Sequence, residues 1–138
     1  MKALKITVVV IVVAVIAFFA WNYFAGPLKV RRDMHAFADS LENCEPFSQS
    51  VKAPGGPSLR HVVEPLDDGR CRMRMDTLGP YELRCDFAAE DLRDIAQGFA
   101  DNADRLGLFG GMEIRISTSD PDKLTQALNS PACETISQ

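Results

Sequence analysis

The chain is poor in the residues from which catalytic and metal sites are usually assembled. It has two histidines, one tryptophan and no C-x-x-C pair, and the gaps of 27, 14 and 48 positions between its four cysteines fit no common zinc finger. There is no acidic residue before Asp33, no glycine before Gly26, and no internal repeat or low-complexity tract. Basic residues do not dominate anywhere in the larger part of the chain. Residues 27–138 hold 13 of the 15 Lys and Arg and all 19 Asp and Glu, six more acids than bases. A segment of that sign repels a phosphate backbone, which excludes nucleic acid as a partner.

What is present begins with one long apolar run. Ile6 to Phe24 contains only Thr7 and Asn22 as polar members. As a helix, about 19 residues rise roughly 28 Å, close to the hydrocarbon thickness of a bilayer. Phe18, Phe19, Trp21, Tyr23 and Phe24 cluster at its far end, where amphipathic rings prefer the headgroup level. Gly26-Pro27 then offers a stop or kink. Residues 1–26 therefore read as a cytoplasmic tip and transmembrane anchor, with the membrane contacted through residues 6–24. The alternative is a cleaved signal peptide releasing a soluble secreted domain. The only passable cleavage site for it, Val15-Ile16-Ala17, is followed by a further strongly apolar stretch. Lys2, Lys5 and the amino terminus are balanced by Lys29, Arg31 and Arg32, so flanking charge does not orient the span.

The cysteines supply an orientation. Cys44, Cys71, Cys85 and Cys133 are an even set in a small domain, which reads as two disulfides formed outside the cytoplasm. Arg70 to Asp76 and Tyr81 to Phe87 each alternate apolar with polar residues, the mark of half-buried strands. Thr77-Leu78-Gly79-Pro80 forms the turn between them. A hairpin symmetric about Leu78 sets Met75 opposite Tyr81, Met73 opposite Leu83 and Cys71 opposite Cys85. The predicted bridges are then Cys71–Cys85 and Cys44–Cys133. In the alternative, Cys44 bridges one hairpin cysteine and Cys133 the other. The plainer reading is four reduced thiols in a cytosolic domain.

Residues 27–138 read as a single extracytoplasmic α+β domain, disulfide-stapled. An amphipathic helix is predicted over 28–43, ended by Pro46. Residues 48–58 read as a Pro/Gly/Ser loop. Leu59 to Glu64, joined by the Asp-Gly turn Leu66–Gly69, completes a three-stranded antiparallel meander. A long helix follows, with Leu92, Ile95, Ala96, Phe99, Ala103 and Leu106 as its apolar stripe and Gly107 as C-cap. Met112 to Thr118 reads as a fourth strand, and Asp122 to Asn129 as a short last helix capped by Asp120-Pro121.

The most unusual polar feature is the arginine row Arg70, Arg72, Arg74 with Arg84. In the register above, Arg72 faces Arg84 and Arg74 faces Glu82. Like charges directly opposed are costly, so carboxylate neighbours or a carboxylate-bearing partner are implied, and this row is the candidate interaction surface. The plainer reading is a solvated face offset by the acids of the long helix. His35 and His61 have no local Cys, Ser or Asp placed for a triad and read as structural. Asp67-Asp68 and Asp120-Pro121-Asp122 lack the ligand spacing of a calcium loop and read as turn and cap residues. No cofactor and no metal are implied.

An apolar helix running into an amphipathic one and then a disulfide-bearing antiparallel sheet resembles a type IV pilin in outline. The acidic residue and the glycine cleavage site of that family have no counterpart, and the chain is not assigned to it. The leading expectation is an inner-membrane, single-pass protein carrying a binding or accessory module of the envelope, with a protein partner there, rather than an enzyme. The alternative is a small periplasmic hydrolase or thiol enzyme whose site assembles from distant residues.

Overall fold

A run of Val, Ile, Ala and Phe with no charge past Lys5 has no polar face to present to water and no reason to bend. In the computed structural model, which describes residues 2–52, 56–106 and 123–137, it forms helix α1, Lys2–Phe24. From Ile6 on, its apolar side chains stand exposed (Ile16 62 %, Trp21 68 %, Phe24 70 %), so the helix projects without protein cover. It is long and apolar enough to cross a bilayer.

Asn22 is the exception, 3 % exposed, its Nδ2 donating to the Phe18 carbonyl at 3.1 Å. It lies under the joint made by Ala25 and Gly26, where a Cβ on Gly26 would come within 2.8 Å of the Asn22 Cα. The joint therefore needs glycine. Pro27 then starts helix α2, Pro27–Glu42, at the first position, where its missing N–H costs nothing.

Helix α2 buries Phe37, Ala38 and Leu41. It ends in a tight reversal: the Cys44 N–H donates to the Leu41 carbonyl (3.2 Å) and the Glu45 N–H to that of Ser40 (2.9 Å). These are the two bonds of a Schellman motif, and Cys44 takes the left-handed position (φ 50°) usually given to glycine.

Five strands follow in an antiparallel sheet whose spatial order is the chain order: β1 Phe47–Lys52, β2 Ser58–Pro65, β3 Cys71–Asp76, β4 Tyr81–Phe87 and β5 Cys133–Ser137. Helix α3, Leu92–Asp104, and the short α4, Lys123–Leu128, lie between β4 and β5 in sequence. The three predicted strands are the middle of this sheet. Its two edges were not legible. Residues 48–52, assigned to a loop, belong to β1, and the tail around Cys133 is β5. The segment Met112 to Thr118, residues Asp120 to Asp122 and the expected cap Gly107 lie outside the described residues.

One face of the sheet packs on α2 and α3. Phe37, fully buried, is the hub: its ring meets Phe99 of α3 edge-on at 5.2 Å, Phe47 of β1 at 6.2 Å and His61 of β2 at 5.1 Å. Val63, Cys71, Met73, Cys85 and Phe87 come from the sheet, and Leu92, Ile95 and Ala96 from α3. Leu124 of α4 closes the core against Gly98, where an added Cβ would come within 2.7 Å of the Leu124 Cβ.

The β3–β4 hairpin corrects the predicted register by two residues. Asp76 pairs with Glu82, Met75 with Leu83, Met73 with Cys85 and Cys71 with Phe87. The chain closes with the Thr77 N–H (3.0 Å) and hydroxyl (2.8 Å) both donating to the Tyr81 carbonyl, centring the turn on Gly79. A two-residue shift leaves every side chain on its own face but removes Cys71 from Cys85. The bridges are Cys44–Cys71 and Cys85–Cys133, not Cys71–Cys85 and Cys44–Cys133. The first fastens the end of α2 to the sheet. The second joins direct register partners on β4 and β5.

Candidate interaction surface

The helices cover one face of the sheet, and alternation sends the charges of β2, β3 and β4 to the other. The register sets them in rows. In one row Glu64, Arg72 and Asp86 are neighbours across β2, β3 and β4. In the next, Val62, Arg74, Arg84 and Glu134 are neighbours across β2 to β5.

Each arginine of the row has a carboxylate. Arg72 grips Asp86 as a fork, Nε to Oδ1 and NH2 to Oδ2 both at 2.7 Å. This fork holds the Asp86 carboxyl below its ordinary range and the Arg72 guanidinium above its own. Arg74 donates to Glu64 at 3.1 Å, and Arg84 lies 3.5 Å from Glu134. Arg70, in the turn, donates to Asp68 at 2.7 Å. Arg74 and Arg84 are directly opposite, and each is drawn away from the other by the acid on its far side. The Nε atoms of both are buried without a hydrogen-bond partner.

The compensating acids are therefore strand neighbours. They do not come from α3, whose acids lie with the helix on the opposite side of the sheet. Glu82, only 8 % exposed, belongs to the same grid, 3.8 Å from Arg60 and 4.0 Å from Arg74. Arg60 in turn donates its backbone N–H to Asp76 at 2.9 Å. The surface is a lattice of alternating charge rather than a basic patch.

Neither histidine joins this surface. His61 is buried at the Phe37 hub with its Nδ1 unpartnered, and burial lowers its pKa against the opposing pull of Asp76. His35 lies on α2, its Nε2 2.8 Å from Asp104 Oδ1 at the end of α3. Arg31 donates to the same oxygen from Nε (3.1 Å) and NH2 (2.7 Å), and together these groups depress the Asp104 carboxyl. No sequence signal marks this clasp, because its members are 69 and 73 positions apart. It is a histidine–carboxylate pair with no hydroxyl or thiol bonded to the histidine among the described residues.

Open clefts are present among the described residues. One of about 430 Å³ lies between Glu42 and Asn43 of α2 and Ala89, Glu90, Arg93 and Asp94 at the start of α3. Another, of about 230 Å³, lies among Arg70, Arg84, Asp86, Pro131, Ala132 and Glu134. Neither is lined by a histidine, and all four cysteines are bonded. Among the described residues no cluster of three or more His, Cys, Asp or Glu could hold a metal ion.

No protein-family model, no curated protein and no solved structure matches this chain. It is a membrane-associated α+β domain carried on one apolar helix.

Proposed function

We propose that the protein is a single-pass inner-membrane anchor whose domain lies on the periplasmic side and serves as a binding or accessory module for another envelope protein. The observation that carries this reading is the pair of disulfides behind an apolar span. Both bridges join elements distant in sequence and leave no free thiol among the four cysteines, a pattern typical of oxidising compartments and rare in the cytosol. A broad, ordered charge lattice favours recognition of a complementary protein surface. The partner face is the row Arg70, Arg72, Arg74 and Arg84, where a partner carboxylate would compete with Glu64 and Glu134 for the guanidinium groups of Arg74 and Arg84.

The direct test fuses a reporter active only outside the cytoplasm after Gln138 and counts free thiols in the membrane-bound product. An active reporter with no free thiols is expected. A silent reporter with four free thiols overturns the export reading. A photo-crosslinker at position 84 should then give a discrete adduct in intact membranes, and one at position 93, on α3, should not.

A further inference from the structure

The junction of α1 and α2 gathers three exposed rings, Trp21 (68 %), Tyr23 (52 %) and Phe24 (70 %), and three cations, Lys29, Arg31 and Arg32. Two of the cations are spent within the protein. Lys29 pairs with Asp33 on its own helix, and Arg31 pairs with Asp104 of α3. Arg32 is different. Among the described residues its one recorded contact is the ring of Tyr23, whose centroid lies 4.5 Å from the guanidinium carbon. The side chain folds back from α2 toward the end of the apolar helix.

That geometry has a consequence for depth. A tyrosine closing an apolar span sits at headgroup level, and the guanidinium resting on its ring shares that level. The ring shields one face of the guanidinium, and no acceptor for its in-plane N–H groups is found among the described residues. A planar fork with free N–H groups beside a bilayer matches the oxygens of a phosphodiester. The rest of the domain carries excess acid and offers no general attraction to anionic lipid, so the contact is local.

We propose that Tyr23 and Arg32 form a headgroup site that takes the phosphate of an anionic phospholipid in the leaflet facing the domain. This rests on reading α1 as a membrane span.

The test uses the full chain, delipidated in a non-ionic detergent and titrated with phosphatidylglycerol while native mass spectrometry counts bound lipid. Arg32→Gln should weaken retention of the first lipid about fivefold or more, the scale of a desolvated cation contact. Arg32→Lys, which keeps charge but loses the fork, should fall between. Tyr23→Leu should weaken retention less than Arg32→Gln. Arg93→Gln, removing an exposed charge from α3, should change nothing. Unaltered binding in Arg32→Gln, an equal loss in Arg93→Gln, or displacement of the lipid by soluble glycerol 3-phosphate each overturns the site. Absence of free thiols in every variant verifies folding. Flotation with phosphatidylcholine vesicles separates the two levels of the claim. A chain left in the aqueous fraction overturns the span, whereas one that floats but whose phosphatidylglycerol retention does not depend on Arg32 overturns only the headgroup site.

Discussion

Cys44 occupies the left-handed turn that ends α2, and its sulfur is bonded to that of Cys71 at the start of β3. A β-carbon in that conformation costs roughly 1–2 kcal/mol relative to right-handed backbone. The bridge and the two Schellman hydrogen bonds hold it there. The same residue thus ends a helix and fixes that helix to the sheet.

Mapping of disulfide-linked peptides under non-reducing conditions should give Cys44–Cys71 and Cys85–Cys133. Loop-closure entropy for separations of 27 and 48 residues gives about 3.5 and 4 kcal/mol for the two bridges. Cys44→Ala with Cys71→Ala should therefore lower unfolding free energy in denaturant by about 2–4 kcal/mol. A Cys71-to-Cys85 linked peptide would refute the register of the central hairpin as well as the pairing.

The same register can be checked energetically. A double-mutant cycle on Arg72→Ala and Asp86→Ala should show a coupling of about 0.5–1 kcal/mol, suited to a partly exposed fork. Arg72 with Arg84, opposed in the register read from sequence but not in the structure, should couple weakly. The reverse ranking would place the turn on Leu78 after all.

Gly98 lies inside α3, where replacing glycine by alanine ordinarily stabilises a helix by up to about 1 kcal/mol. Here the new β-carbon would come within 2.7 Å of the Leu124 Cβ. Overpacking costs typically about 1–3 kcal/mol, so Gly98→Ala should lower the melting temperature. A rise would mean that α4 is not seated on α3 as described.

Burial holds the His61 imidazole below its ordinary value, with Asp76 opposing. The unfolded chain takes up this proton first, at about pH 6.5, so the unfolded state binds more protons below that pH. The contribution to stability is complete above pH 6.5 and is lost as pH falls. Unfolding free energy should decline as pH falls below about 6.5, and the decline should be smaller in His61→Leu. An imidazole resonance of His61 titrating above 6.5 is incompatible with this.

Asp104 behaves in the opposite sense at a lower pH. Its carboxyl is depressed by the hydrogen bonds from His35 and Arg31, so its contribution is present above the unfolded value near 3.9 and is lost as pH falls through the folded one. Asp104→Asn should flatten the acid limb of the melting curve below about pH 4 and leave the His61 limb intact. An unchanged acid limb would show that the clasp between α2 and α3 does not form in solution.

The legible parts of the fold were those with strong periodicity. The apolar span, the helical stripe around Phe37, the stripe from Leu92 to Ala103 and three alternating strands all lie within a few residues of their predicted bounds. The edges escaped because β1, Phe-Ser-Gln-Ser-Val-Lys, and β5, Cys-Glu-Thr-Ile-Ser, are short and mixed in polarity, and only pairing with a neighbour makes them strands. The arginine row was visible, and so was its need for carboxylates. Their source was not, since it depends on a register set in the turn, where Thr77 closes on the Tyr81 carbonyl. The clasp on Asp104 and the fold-back of Arg32 onto Tyr23 depend on helix packing and leave no local trace.

Two residues, Ala25 and Gly26, separate the end of α1 from the start of α2, and fully extended they reach about 7 Å. A domain on so short a leash does not sample the aqueous space beyond the bilayer. It diffuses in the plane with its anchor, and any membrane-embedded partner would meet it at the high local concentration of a two-dimensional search. Contacts far too weak to form in solution would be sufficient there, and affinities measured on the domain cut from its helix would understate them.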